Sequence, residues 1–226
     1  MGCALALGTA QFGSDYGVKG DGQPTPDEIA RILTLTKRAG IEVIDTAPAY
    51  GCACGFEGFK VVQKTPYTGE AYALLQHDPD GDLGPVLEAR ESGRVQKAGI
   101  SIYTPAQLER ALKWPIDIVQ IPLNIVDGRF LPWLPVLRQR GIEIHARSVF
   151  LQGALLMDDP PVPVPKLDVA TCLGYVLAQD VGAVVVGVNS EVQLRELLAV
   201  MPQDAQNYGI TAESIVDPRK WRRRTG

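Results

Sequence analysis

Four side chains in the first third of the chain have the types that a proton-transfer site needs. They are a carboxylate, a phenol, an ammonium and an imidazole, supplied by Asp45, Tyr50, Lys64 and His77. A phenol with a pKa near ~10 is a poor proton donor and a poor base at neutral pH. A nearby ammonium lowers that pKa, and a carboxylate paired with the ammonium holds it in position. The set is therefore suited to acid–base chemistry at a phenol.

Each of these residues also has an ordinary structural interpretation. Asp45 could cap the turn after a strand, Tyr50 could pack in a loop, and Lys64 could be solvated. His77 could cap the turn that follows it, and a second histidine, His145, lies inside an apolar run and is interpreted as structural. The order and spacing of the four residues, each at or just after the end of a strand-like run, favour a common site.

Short apolar runs alternate with helix-like segments along the chain. The runs are rich in Val and Ile without strict polar alternation, which suits strands buried on both faces of a parallel sheet. Helix starts are marked by Thr25, Thr104 and Ser190, each followed three residues later by Glu or Gln in a capping-box pattern. The alternation predicts a parallel sheet with helical crossovers. The predicted strands are residues 4–9, 41–44, 59–62, 72–75, 98–102, 116–121, 142–146 and 183–186, and further helices are predicted at residues 83–92, 131–140 and 167–179.

Two connections in the first half of the chain do not suit the usual crossover helix. Residues 46–58 contain Pro48 and three glycines, and only residues 65–71 separate the third and fourth predicted strands. A parallel crossover usually takes a dozen residues or more, although seven extended residues can span about 25 Å. The alternative is an antiparallel hairpin, which would carry His77 to the opposite end of the sheet. Missing helices would also uncover the outer faces of these two strands, from which we predict self-association.

A second candidate site lies near the end of the sequence. The strand at residues 183–186 is followed by Gly187 and by a helix that Ser190 caps. Free backbone N–H groups at a helix start suit a phosphate, and barrels often place phosphate after their last strands. The alternative is an ordinary capped helix. No G-x-G-x-x-G motif follows a predicted strand, so a Rossmann domain is not indicated.

Residues 44–51, IDTAPAYG, are similar to the signature of the aldo-keto reductases, in which an aspartate at a strand end precedes the catalytic tyrosine by five residues. Residues 59–64, FKVVQK, resemble the strand that ends in the family's lysine, and residues 74–77, LLQH, resemble the strand that ends in its histidine. The resemblance covers most of the chain in the family's order, continuing at residues 7–13, 97–101, 117–124, 142–155 and 184–194.

The resemblance implies an α/β fold, a single (β/α)8 TIM barrel over residues 1–226 that is incomplete because its second and third helices are missing or vestigial. It further implies an oxidoreductase that reduces a small aldehyde, ketone or sugar-like carbonyl with NADPH. In that reaction Tyr50 donates the proton and Lys64 tunes its pKa. Asp45 pairs with Lys64, and His77 orients the carbonyl.

The cofactor contacts are implied in the same way. NADP is expected, with NAD as the alternative, because the family prefers it and because Arg195 could meet a 2′-phosphate. Ile102 stands where many members have asparagine, which removes one amide contact. The residues expected to hold the cofactor are Gly187, Asn189, Ser190, Gln193 and Arg195 at the adenosine phosphates, Ser101 and Gln120 at the nicotinamide amide, and Arg147 and Ser148 under the nicotinamide ring and its phosphates.

Two rival functions remain open on the same scaffold. One is a non-catalytic relative that binds a nucleotide or a protein subunit, which the missing helices favour and the intact set of four residues disfavours. The other is a cofactor-dependent lyase or isomerase. Turnover of nicotinamide with a generic aldehyde would separate the reductase from both.

The composition narrows the partners and the compartment. A net charge of −4 gives no reason to expect nucleic acid or an anionic membrane as a partner, and the arginines at 222–224 are expected to form a solvated tail. The four cysteines lack the spacing of a zinc knuckle, so no metal is expected and the thiols are predicted to be reduced. The start has no basic region, and no apolar run approaches ~20 residues. A cytoplasmic location is therefore expected.

Overall fold

Eight parallel strands close into a barrel in which each strand pairs with the next along the chain. They are β1 (Ala4–Gly8), β2 (Val43–Thr46), β3 (Lys60–Lys64), β4 (Ala73–Gln76), β5 (Lys97–Ser101), β6 (Ile118–Pro122), β7 (Glu143–Arg147) and β8 (Ala183–Gly187). In this computed structural model, which describes residues 4–18, 20, 22–52, 54–69 and 71–221, β1 pairs with both β2 and β8. The TIM barrel is confirmed, and its eight strands are complete. The predicted incompleteness is therefore limited to the helices.

Helices follow the strands where the capping patterns predicted them. Thr25 Oγ1 accepts the backbone N–H of Glu28 at 3.2 Å. The Thr104 side chain forms the full reciprocal box with Gln107, and Ser190 Oγ accepts the N–H of Gln193 at 3.2 Å. The helices are α1 (Ala10–Gly13), α2 (Pro26–Arg38), α3 (Gly84–Glu91), α4 (Pro105–Ala111), α5 (Leu134–Gln139), α6 (Val169–Leu177), α7 (Glu191–Leu198) and α8 (Glu213–Val216). Within the described chain, none of them is long and apolar enough to cross a membrane.

The two short connections carry no α-helix among their described residues. The link from β2 to β3 contains the 3₁₀ turn Pro48–Tyr50. Between β3 and β4, residues 65–69 and 71–72 form bends and irregular backbone. β3 and β4 nevertheless pair in parallel, with Val62 opposite Ala73. The extended return is therefore long enough, and the hairpin alternative is wrong. As a result, His77 lies at the same end of the barrel as Lys64.

The outer face beside these connections is covered by side chains instead of helices. The ammonium of Lys37 lies 5.7 Å from the Phe59 ring centroid, and Lys60 and Lys97 lie 5.9 and 5.6 Å from that of Tyr72. Long basic side chains cover apolar surface with their methylene stems in this way. The exposed large apolar side chains of the described residues are at other places: Tyr16, Trp114, Val192, Met201 and Tyr208. These contacts reduce the apolar surface exposed beside the two strands, and self-association stays a prediction.

A groove remains where a helix would otherwise lie against the barrel. It has a volume of about 850 Å3, and its wall includes Pro66 and Tyr67 from the β3–β4 return and Pro85 and Ala89 from α3. Leu74, which points into this region from β4, is only 2% exposed. The short return thus shields the strand without filling the space beside it.

Candidate active site

A buried ion pair joins the carboxyl ends of β2 and β3. Lys64 Nζ donates a hydrogen bond to Asp45 Oδ1, and the two side chains are 3% and 5% exposed. The second Asp45 oxygen accepts from Gln120 Nε2 at 2.7 Å, and Gln120 Oε1 accepts from Ser101 Oγ at 3.1 Å. Because the charges are paired and the carboxylate is further hydrogen-bonded, part of the cost of removing both charges from water is offset.

Tyr50 is placed beside this ion pair by a tight turn. It ends the 3₁₀ turn that follows β2, and Gly51 continues with a φ of 71°, a left-handed conformation that glycine adopts without steric cost. A Cβ on Gly13 would lie 1.9 Å from the Tyr50 carbonyl oxygen, so only glycine fits there. Lys64 Nζ lies 5.5 Å from the centroid of the Tyr50 ring. Backbone packing of α1 against this turn therefore sets the position of the phenol.

His77 completes the group of four. Its ring meets the Tyr50 ring edge-to-face, with centroids 6.3 Å apart and an interplanar angle of 86°. The backbone N–H of His77 donates to Thr65 Oγ1 at 3.0 Å, which links the ends of β3 and β4. The structure thus brings together all four side chains that the sequence singled out.

The electrostatic environment of Tyr50 differs from the one expected. Burial raises the pKa of its phenol well above the usual value, and the charge of Asp45 raises this pKa further. The Lys64 ammonium bonds to Asp45 rather than to the phenol, which explains why the expected lowering of the pKa is not found. Tyr50 therefore stays protonated at neutral pH. Burial also lowers the pKa of His77, as does the charge of Lys64, so its imidazole is neutral at that pH.

A cavity of about 350 Å3 opens beside the ion pair, with Asp45, Tyr50 and Lys64 in its wall. Six of the nine predicted cofactor residues line it, namely Gln120, Arg147, Ser148, Gly187, Asn189 and Gln193. The other three have partners of their own: Ser101 donates to Gln120, Ser190 caps α7, and Arg195 pairs with Glu191.

Residues that the sequence analysis missed complete the cavity wall. Tyr16, Gly17 and Gly20 reach it from the segment between α1 and α2. Asn189 Nδ2 donates to the carbonyl of Gly22 in the same segment at 2.5 Å, across 167 residues of sequence. No local pattern could reveal this segment, because the contacts that place it join distant parts of the chain.

Arg147 is held firmly at the cavity wall. Its guanidinium lies 4.1 Å from the Tyr103 ring centroid and donates to the Ile102 carbonyl at 2.8 Å and to Ser148 Oγ at 3.1 Å. Arg219, near the end of the described chain, also packs on Tyr103, at 3.4 Å. Ile102, which replaces the expected asparagine, therefore contributes through its backbone.

The segment after β7 contains backbone strain at the cavity. Ser148, Leu151 and Gln152 have φ values of 61°, 49° and 55°. Such left-handed conformations cost roughly 1–3 kcal/mol each in residues other than glycine and cluster at ligand sites. Asn124 Nδ2 donates to the Ser148 carbonyl at 3.0 Å, one of the contacts that hold this shape. The strain supports a binding role for the segment.

The prediction that all cysteines are reduced is wrong for one pair. Cys52 and Cys54, which follow Tyr50 in the chain, form a disulfide with a Cα–Cα distance of 5.4 Å. This distance lies within bridging range, whereas the sequence spacing was compared only with metal and redox motifs. Burial raises the pKa of the free thiol of Cys172 to about 12, and Cys3 lies outside the described residues. In the described part of the chain, no group of His, Cys, Asp and Glu side chains is arranged to hold a metal ion.

Comparison with known proteins supports the fold assignment. No protein-family model and no curated protein matches the sequence. Among solved structures, PA4992 of Pseudomonas aeruginosa, proposed to be an aldo-keto reductase, has a TM-score of 0.66 and 24% identity over 89% of this chain and 90% of its own. The holo form of aldo-keto reductase AKR11C1 of Bacillus halodurans has a TM-score of 0.68 and 18% identity over 96% of this chain and 94% of its own. The glycerol dehydrogenase AKR11B4 of Gluconobacter oxydans has a TM-score of 0.65 and 18% identity over 89% of this chain and 87% of its own. The chain therefore has the barrel fold of these aldo-keto reductase structures.

Proposed function

We propose that this chain is an aldo-keto reductase that transfers hydride from a nicotinamide dinucleotide to the carbonyl of a small aldehyde, ketone or sugar-like molecule. The observation that carries the proposal is the buried Asp45–Lys64 pair beside Tyr50, which opens on a cavity lined by polar groups. The barrel fold shared with AKR11C1 and with a glycerol dehydrogenase supports it.

The residues present fit a dinucleotide. The cavity extends from the ion pair to the start of α7, and the Arg147 guanidinium in its wall can face a diphosphate. The side chains and backbone that would hold the cofactor are those of Gln120, Arg147, Ser148, Gly187, Asn189 and Gln193. When bound, the cofactor supplies the hydride.

The protein's own side chains supply the proton. Tyr50 donates its phenolic proton to the carbonyl oxygen, and the Asp45–Lys64 pair gives that oxygen a cationic neighbour as negative charge develops on it. The neutral imidazole of His77 donates a hydrogen bond that orients the carbonyl. Tyr50 is protonated at neutral pH, as the proton donor of a carbonyl reduction must be.

Steady-state consumption of the reduced nicotinamide with a panel of small aldehydes tests the proposal. Tyr50→Phe keeps the ring and removes the proton, so carbonyl reduction should fall at least ~10²-fold. Tyr208→Phe, at a 54% exposed position away from the cavity, is the matched control and should be unchanged. A folded Tyr50→Phe variant with normal turnover would show that Tyr50 is not the donor.

A second candidate is a nucleotide-binding relative without catalysis. The raised pKa of Tyr50 favours it, because Lys64 is engaged by Asp45 and does not activate the phenol. Cofactor binding without turnover of any carbonyl in the panel would support this second candidate. A lyase or isomerase would instead change the substrate without net consumption of nicotinamide.

A further inference from the structure

The carboxylate of Glu28 does not complete the capping box that the sequence predicts. Thr25 does cap the Glu28 N–H, but Glu28 Oε1 accepts the backbone N–H of Glu191, the first residue of α7, at 2.5 Å. This hydrogen bond is the main cause of a lowered pKa for Glu28. The start of α7, where an anionic phosphate was expected, therefore already faces a carboxylate.

Two more N–H groups at the start of α7 have partners within the chain. The Asn189 N–H donates to Gln193 Oε1 at 2.7 Å, and the Gln193 N–H donates to Ser190 Oγ at 3.2 Å. Together with the N–H of Glu191, three donors that could have met a phosphate are engaged. The favourable field of a helix N-terminus is correspondingly reduced for an incoming anion.

The side-chain charges around this end of the cavity are mainly negative. Glu196 lines the cavity. Arg195, on which the expectation of NADP rested, is 63% exposed and donates to Glu191 Oε1 at 3.1 and 2.5 Å from its Nε and Nη2. Arg31 is engaged by Glu28. Both arginines near the start of α7 thus already have a carboxylate partner.

We propose that the α7 end of the cavity accepts an adenosine ribose with a free 2′-hydroxyl, so that the chain prefers NAD(H) over NADP(H). The preference is set by Glu196, in the cavity wall, and by Glu28, which bonds to the start of α7 beside that wall. The inference rests on the proposed function, because the reacting ring must lie at Tyr50 and the adenosine then lies toward α7. A hydroxyl can donate a hydrogen bond to a carboxylate, as in NAD sites of other folds. A 2′-phosphate would instead add negative charge beside Glu28 and Glu196.

Equilibrium binding of NADH and NADPH, by isothermal titration or by fluorescence of the bound nicotinamide, tests the inference without reference to turnover. We expect NADH to bind at least about tenfold more tightly, since like charges brought together weaken a complex by at least that factor. Glu28→Gln keeps an oxygen that can accept the Glu191 N–H and removes only the charge. It should reduce the NADH preference about tenfold, mainly through tighter NADPH binding.

The matched control is Glu42→Gln, which makes the same change in an exposed carboxylate paired with Lys60 and should leave the preference unaltered. Should Glu28→Gln fail to fold, Glu196→Gln tests the same end of the cavity and should shift the preference in the same direction. Arg195→Gln tests the competing expectation that Arg195 holds a 2′-phosphate. A tenfold loss of NADPH affinity in this variant would overturn the inference. Equal or tighter NADPH binding by the unmodified chain, or an unchanged preference in Glu28→Gln, would overturn it as well. If neither nucleotide binds, the proposed function itself fails.

Discussion

Replacing Asp45 by asparagine would show how strongly the ion pair stabilises the barrel. The asparagine would keep the shape of the side chain but leave the Lys64 ammonium, whose side chain is 3% exposed, without its anionic partner. The Gln120 amide, which donates to Asp45 Oδ2 at 2.7 Å, would lose a charged acceptor. The perturbation is therefore an isolated buried charge.

The loss of unfolding free energy expected for Asp45→Asn follows from the burial of this charge. Removing one partner of a buried ion pair typically costs ~3–5 kcal/mol of unfolding free energy. In a chain of this size each kcal/mol lowers Tm by about 2–4 °C, so Asp45→Asn should lower Tm by about 6–20 °C. The exposed pair between Lys60 and Glu42, with side chains 52% and 69% exposed, should contribute less than ~1 kcal/mol when broken by Glu42→Gln.

Urea unfolding followed by circular dichroism measures both variants. The double variant Asp45→Asn with Lys64→Met removes both charges and should recover much of the lost stability, although it removes the proposed catalytic pair. If Asp45→Asn costs no more than Glu42→Gln, the pair is not desolvated, and the argument that it holds a fixed cation beside Tyr50 is refuted.

Two further predictions concern the tyrosine turn and the opposite end of the barrel. Gly13→Ala would push a Cβ to 1.9 Å from the Tyr50 carbonyl and displace the turn, so turnover should fall roughly a hundredfold, as for a 1 Å misplacement. Gly84→Ala, whose Cβ would have the Asp82 side chain as its nearest neighbour at 3.2 Å, should leave the rate unchanged. A normal rate in Gly13→Ala would contradict the close packing at Tyr50. The hydrogen bond with His145 holds the pKa of Glu143 well below 4.5, at about 2. Its stabilisation is therefore present above pH 4.5 and lost as the pH falls toward 2. Urea unfolding at stepped pH should show this loss in the unmodified chain and a shallower one in Glu143→Gln, and identical profiles would exclude the pair as the cause.

Local sequence signals identified most of the fold. The strands follow from continuous apolar runs such as that of β8, and the helix starts follow from Thr25, Thr104 and Ser190, because a cap bonds to a group only three residues away. The four proposed catalytic residues were found through the resemblance to the aldo-keto reductase signature. Their positions at or just after strand ends, where a barrel collects its functional side chains, supported that interpretation.

The sequence alone could not predict contacts between residues that are distant along the chain or the burial that follows from them. Glu28 has the pattern of a local cap, yet its carboxylate bonds to a backbone group 163 residues away. The direction of the Tyr50 pKa shift depends on burial, which is a property of the folded barrel. Arg195 has the right charge for a phosphate, but a carboxylate four residues earlier on the same helix engages it.

The return between Lys64 and Ala73, whose described residues form no helix, makes one sector of the barrel easier to open than the rest. The Thr65 N–H bonds to the Leu75 carbonyl at 2.9 Å, and the Tyr72 N–H bonds to the Val61 carbonyl at 2.8 Å. These bonds are backed by a groove rather than by a packed helix, so their amide hydrogens should exchange through local fluctuations before the whole barrel unfolds. Lys64 and His77 flank this sector. The same fluctuations would separate the two side chains transiently, so the fraction of molecules with an assembled site at any moment would depend on this return more than on the global stability of the barrel.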